Sequence, residues 1–235
     1  MKTRALVSWS CGKDAAWALH VLRRQGAVEV AGLMCVVNET HGRAAMHAVR
    51  ESLIEAQAMA AGLPLRKVLI PAPCPNERYE TAMAEALARA CSDGISAIAF
   101  GDLFLEDVRR YREDRMRGTG ITPLFPLWGS DTRALAREMI AGGLRARLTC
   151  VDPRKLPSSF AGRAFDDDLL SDLPAGVDPC GENGEFHTCV VGGPMFRQPI
   201  DVRPGETVER DGFVFADLRL NDRTPASTRA VEKQP

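Results

Sequence analysis

A chain of 235 residues is long enough for one large domain, or for a main domain with a smaller appendage. Its 45% hydrophobic and 26% charged residues are ordinary for a globular protein, and a formal net charge of −1 excludes the broad basic footprint of a duplex-binding surface. Seven cysteines, an odd number with no C-x-x-C pair, exclude a disulfide framework and the common zinc and iron–sulfur spacings.

The cysteine usage points to a reducing cytoplasm. The opening run MKTRALVSW is too short and too little apolar for a signal peptide, and no segment approaches the ~20 apolar residues of a membrane span. No membrane partner and no nucleic-acid partner is expected, and a homodimer is left open.

The apolar run from Arg4 to Trp9 reads as a buried strand. Lys13 to Gly26 has helical spacing and a glycine stop. Val28 to Asn38 reads as a second strand, Ala44 to Gly62 as an amphipathic helix and Leu65 to Pro71 as a third strand. Asn76 to Gly94 is helical and Ile95 to Gly101 is a fourth strand. Glu106 to Gly120 is a helix of mixed charge, read as a solvated or salt-bridged face. Pro123 to Gly129 is apolar and proline-rich, with Phe125 and Trp128 as packing or a pocket wall. A helix over Thr132 to Gly143 and a strand over Leu144 to Asp152 close the series.

This alternation predicts an α/β fold, a doubly wound parallel sheet with helices on both faces. Right-handed crossovers put the strand C-termini along one edge, where ligands bind at the switch in strand order. After Asp152 the chain turns rich in Pro, Gly and Asp, then gives short strands between turns. Three parts are expected: a nucleotide-binding domain over 1–152, a smaller mixed C-terminal subdomain over 153–221 on the substrate side, and a frayed tail over 222–235.

Ser10, Cys11, Gly12, Lys13 and Asp14 stand between the first strand and the first helix. A helix N-terminus offers unpaired N–H groups and a favourable dipole to an anion. Gly12 lets a phosphate approach, Ser10 donates a hydroxyl and Lys13 adds a cation. Asp14 would repel phosphate, so it either holds a metal ion or caps the helix. Neither a Walker A loop nor a G-x-G-x-x-G fingerprint is present. A plain strand–turn–helix is the alternative.

The stretch SWSCGKDAAWAL resembles the S-G-G-K-D-S loop of the ATP pyrophosphatase (PP-loop, adenine nucleotide alpha hydrolase-like) superfamily. Cys11 replaces the first glycine and Ala15 the final serine, which removes one hydroxyl donor. Two longer stretches, Phe100 to Gly129 and Gly176 to Thr188 with its GENGEFHT string, are similar to signatures of the diphthine–ammonia ligase family. The resemblance spans roughly residues 4 to 218. It implies a five-stranded, HUP-like parallel sheet, cleavage of ATP between its α and β phosphates, and amidation with ammonium. In that family the acceptor is a modified histidine of elongation factor 2.

Glu182 and Glu185 can bind Mg²⁺, orient an amine or accept its proton. Asn183 can hydrogen-bond a substrate amide or carboxylate, with Thr188 beside it, and His187 is a candidate acid or base near neutral pH. A structural turn is the alternative. Gly101 and Asp102 leave the fourth strand near the nucleotide, with Asp102 a ligand for Mg²⁺ or a ribose hydroxyl, or a helix cap. Arg109 or Arg112 on the next helix can bind the substrate carboxylate or departing pyrophosphate. Asn38, His41 and His47 lie where this fold covers adenosine, or in a surface loop. Cys11 and Cys180 lack an activating base and read as inert.

The expected activity is an AMP-forming carbon–nitrogen ligase using ATP and Mg²⁺. It adenylates a carboxylate, then couples ammonia or an amine, with Lys13, Glu182, Glu185 and His187 as its catalytic residues. The Ala- and Arg-rich composition fits a GC-rich bacterial genome, so the acceptor is expected to be a carboxylate other than diphthine. An RNA-modifying or sulfur-transfer enzyme and a non-catalytic nucleotide-binding module are the alternatives.

Overall fold

The computed structural model describes residues 2–40, 42–44 and 49–221. His41, His47 and the 222–235 tail lie outside the described residues. Five parallel strands form the first sheet, in the order β4 (Leu65–Ile70), β2 (Val28–Asn38), β1 (Thr3–Ser8), β5 (Ala97–Ala99), β6 (Thr122–Leu124). A two-residue strand, β3 (Arg43–Ala44), adds antiparallel to the end of β2.

The alternation of buried side chains explains the layers. Val7, Leu33, Cys35, Val37 and Ala99 point to the face covered by α1 (Lys13–Gln25), α2 (Glu51–Ala61) and α5 (Thr132–Ala141). Leu6, Met34, Ile98 and Phe100 point to the other face, under α3 (Asn76–Ser92) and α4 (Glu106–Met116). A sheet buried on both faces needs such near-continuous apolar strands. The strand order reverses between β1 and β5, so the loops leaving those strands part there and open a crevice.

Three elements differ from the sequence reading. The helix expected from Ala44 begins at Glu51, because Arg43 and Ala44 extend to pair with β2. The fifth parallel strand is the short Thr122–Leu124 piece of the proline-rich stretch. Pro123 is tolerated because β6 is an edge strand. The strand expected near Leu144–Asp152 forms as β7 (Arg145–Val151), but outside the parallel sheet. It joins an antiparallel sheet in the order β8 (Phe186–Gly192), β7, β10 (Phe213–Leu220), β9 (Val202–Arg210). The second sheet therefore takes a strand from before residue 152.

One hydrophobic core joins the two sheets: Val7, Trp17 and Leu53 share a cluster with Leu148, Phe186, Val190 and Leu218. Asp217, largely buried on β10, receives Arg50 at 2.6 Å and Arg43 and Arg219 at 3.2 Å, and so ties the second sheet to β3 and the start of α2. A short helix, α6 (Asp167–Asp172), capped by Asp166, precedes the loop that leads to GENGEFHT. Among the described residues no helix is long and apolar enough to cross a membrane.

Candidate active site

The loop after β1 is fastened to the C-terminal half of the chain at several points. The Lys13 amide donates to Thr188 Oγ1 at 3.0 Å, and the Val190 amide donates to the Cys11 carbonyl at 3.0 Å. Buried Gln57, on α2, donates to the carbonyls of Cys11 (3.1 Å) and Val190 (2.7 Å) and accepts from Trp9 Nε1 (2.8 Å). These bonds hold Cys11 at φ 71°, a left-handed conformation that costs a non-glycine residue about 1–2 kcal/mol. This is the position where the superfamily loop carries glycine. Cys11 is fully buried, and burial raises its thiol pKa, so it is a packing group.

Gly12 is the N-cap of α1, and its amide reaches Ser10 Oγ at 3.4 Å. Asp14 is therefore not a cap. Its carboxylate accepts from Lys13 Nζ at 2.8 and 2.9 Å. Lys13, 2% exposed, also donates to the Cys180 carbonyl and lies over the rings of Phe165 and Phe186 at 5.7 and 5.6 Å. Burial works against its charge, but the Asp14 carboxylate together with Cys180 and Glu182 outweighs it and raises the Lys13 pKa.

A cavity of about 240 Å³ opens over this loop. Ser10, Lys13, Asp14 and Ala15 line it from the loop, Gly101, Asp102 and Arg112 from β5 and α4, and Glu182, His187 and Thr188 from the C-terminal half. The close fit depends on Gly101: a Cβ there would stand 2.7 Å from the Ala15 nitrogen and the Asp14 carbonyl carbon. Glu182 bridges the two halves by accepting from the Leu103 amide at 2.8 Å. Burial, with the carboxylates of Asp14 and Asp102, pushes its pKa up to about 7.

His187 differs from the expectation of an acid near neutral pH. Burial and the charge of Lys13 hold its pKa down to about 4, so the ring is neutral at pH 7. Asp102 is not a helix cap either; it pairs with Arg112 Nε at 3.3 Å, and α4 begins after Leu105. Arg112 stacks on Phe100 at 4.7 Å.

Six expected contact residues lie outside the cavity lining, Cys11 and Gly12 of the loop and four others. Arg109 is held between Phe125 (5.0 Å) and Trp128 (4.8 Å) and pairs with Glu113. Those two rings are thus packing. Asn38 accepts from the Thr40 amide at the exit of β2. Asn183 is exposed and donates to Glu185 Oε1 at 3.2 Å. Glu185 is buried and also accepts from the Asp178 amide at 3.1 Å, which closes the 178–185 turn from within.

Sequence reasoning missed Gln57, whose only signal is an amide on the apolar stripe of a helix. It also missed the Cys180 carbonyl, since only backbone geometry aims it at Lys13. A second, apolar cavity of about 280 Å³ was missed as well. It lies between α3 and α4, with Met34, Val36, Tyr79 and Met83 on its walls, and shares Ser8, Phe100 and Arg112 with the first.

Among the described residues, no group of three or more His, Cys, Asp or Glu side chains forms a metal cage. Mg²⁺ at nucleotide sites uses one or two carboxylates plus phosphate oxygens and water. Asp14, on the cavity wall, fits that smaller demand.

The diphthamide synthase N-terminal domain model matches residues 1–123, and the diphthamide synthase C-terminal domain model matches residues 131–218. The human diphthine–ammonia ligase is 31% identical over 143 residues, 55% of this chain and 53% of that protein. The Danio rerio diphthine–ammonia ligase is 35% identical over 132 residues, 54% of this chain and 50% of that protein. The chain thus matches about half the length of these relatives. A solved structure described as a predicted subunit of tRNA methyltransferase from Methanocaldococcus jannaschii aligns with a TM-score of 0.45 at 16% identity, over 84% of this chain and 100% of that one. With both domain models matched in order along one loop-bearing α/β chain, this protein belongs to the diphthine–ammonia ligase family of the PP-loop superfamily.

Proposed function

We propose that the protein is an ATP-dependent, AMP-forming ligase that adenylates a carboxylate, releases pyrophosphate and couples ammonia or an amine. The observation that carries this reading is the contact between the two cavities. The polar one over the loop and the apolar one between α3 and α4 share Ser8, Phe100 and Arg112. Joined, they suit a nucleotide: phosphates at the N-terminus of α1, adenine against Met34, Val36 and Phe100.

Arg112 stands at the junction, where its guanidinium can hold the α-phosphate or the departing pyrophosphate. Lys13 is prepositioned by Asp14 and the Cys180 carbonyl, and an incoming phosphate competes with Asp14 for the ammonium. Asp14 would hold Mg²⁺, which would spread the phosphate charge. Glu182, with a pKa near 7, suits a base that takes the proton of the attacking amine. Neutral His187 serves as a hydrogen-bonding group, and Thr188 keeps the loop in place.

The buried pairing of Lys13, with Ala15 at the serine position, favours one other reading, a nucleotide-binding module without turnover. Incubation with ATP, Mg²⁺, ammonium and a panel of acids separates the two. AMP and pyrophosphate support the ligase. ATP binding without AMP supports the module, and ADP with phosphate contradicts both. The acceptor is proposed to be a carboxylate other than diphthine, and the protein is proposed to work in the cytoplasm.

A further inference from the structure

A third cavity, of about 490 Å³, lies along the segment that precedes the GENGEFHT turn. Arg133 and Arg137 of α5 form one wall, one helical turn apart. Leu170 and Ser171 of α6 and the 173–179 loop form the other. Both arginines are exposed, and neither side chain makes an ion pair or hydrogen bond among the described residues. Like charges one turn apart repel each other, so this wall is short of negative charge. Asp167 is the one acid lining the groove, which leaves an excess of positive charge.

The groove and the nucleotide cavity have no lining residue in common and meet only along the chain. Pro179 lines the groove and Cys180 lines the cavity over the loop. The Cys180 thiol donates to the Thr132 carbonyl at 3.4 Å, next to Arg133, while the Cys180 carbonyl holds Lys13. Guanidinium forks suit carboxylate and phosphate oxygens equally well. The volume is that of a small-molecule site.

We propose that this groove binds a small-molecule anion with two or more carboxylate or phosphate groups. The anion site does not rest on the ligase reading. Citrate and fructose 1,6-bisphosphate, as carboxylate and phosphate probes, are titrated by calorimetry into wild type and into Arg133→Ala/Arg137→Ala. At least one probe binds wild type, and the double variant weakens it tenfold or more while ATP affinity stays the same. Failure of both probes to bind, or equal affinity in the two proteins, overturns the site.

Discussion

The backbone amide of Lys13 donates to the hydroxyl of Thr188 at 3.0 Å, across 175 residues of sequence. One of the unpaired amides of the α1 N-terminus is thereby satisfied by the second sheet. Together with the Val190–Cys11 bond it makes the phosphate loop a joint product of both halves. Thr188→Val keeps the shape and removes the acceptor, leaving a buried amide unpaired. A loss of about 1–3 kcal/mol in urea-unfolding stability is expected, with weaker ATP binding. Thr188→Ser should retain most of both; equal stability of the valine variant and wild type contradicts the anchor.

Gln57 is the other clamp on this loop. Gln57→Leu leaves the Trp9 indole without its acceptor in the core, and removes a donor from the Val190 carbonyl and one of the two donors to the Cys11 carbonyl. Destabilisation by about 2–4 kcal/mol is expected, from several buried groups at about 1 kcal/mol or more each. Thermal unfolding measures it, and a variant as stable as wild type excludes the clamp.

Gly101 lies so close to α1 that any Cβ meets backbone atoms, which cannot swing away. Gly101→Ala should cost about 1–3 kcal/mol and weaken ATP binding by pushing β5 from the loop. ATP titration together with unfolding tests this. Unchanged values for both would mean the crevice is wider than described.

The chain-order reading succeeded where signals are local. β1, β2, β4 and β5 are apolar runs with turn residues at their ends. It could not assign β7 to its sheet, because the strands that pair with it come much later in the chain. Pro123 hid β6, since proline argues against a strand except at an edge. Arg109 and Arg112 share a helix, and only the distant rings of Phe125 and Trp128 draw Arg109 away from the cavity. GENGEFHT was legible as a cluster, but its division of labour was not. Glu182 faces the cavity, while Glu185 holds the turn together from within.

Glu182 and His187 give pH effects that differ in sign. A carboxyl whose folded pKa is raised to about 7 from 4.5 costs stability as pH climbs through that window, because the folded state resists losing the proton. Wild type should therefore lose stability relative to Glu182→Gln between about pH 4.5 and about 7. His187, lowered to about 4 from 6.5, contributes stability that is present above pH 6.5 and lost as pH falls toward 4. His187→Gln should flatten that acid limb. Unfolding midpoints across pH check both, and parallel curves for wild type and either variant contradict the assigned shift.

For the ligase, AMP release should rise with pH through about 7 as Glu182 loses its proton, and Glu182→Gln should lower it tenfold or more. A pH profile of turnover carries this test. A flat profile, or full activity in the glutamine variant, removes Glu182 as the base.

The central claim is that the loop after β1 and the C-terminal turn form one nucleotide site. Amide hydrogen exchange with and without ATP and Mg²⁺ tests it most directly. Slower exchange on ATP addition is predicted in residues 8–15 and in residues 180–190 together. Protection of neither segment, or of one without the other, would contradict a site built from both halves.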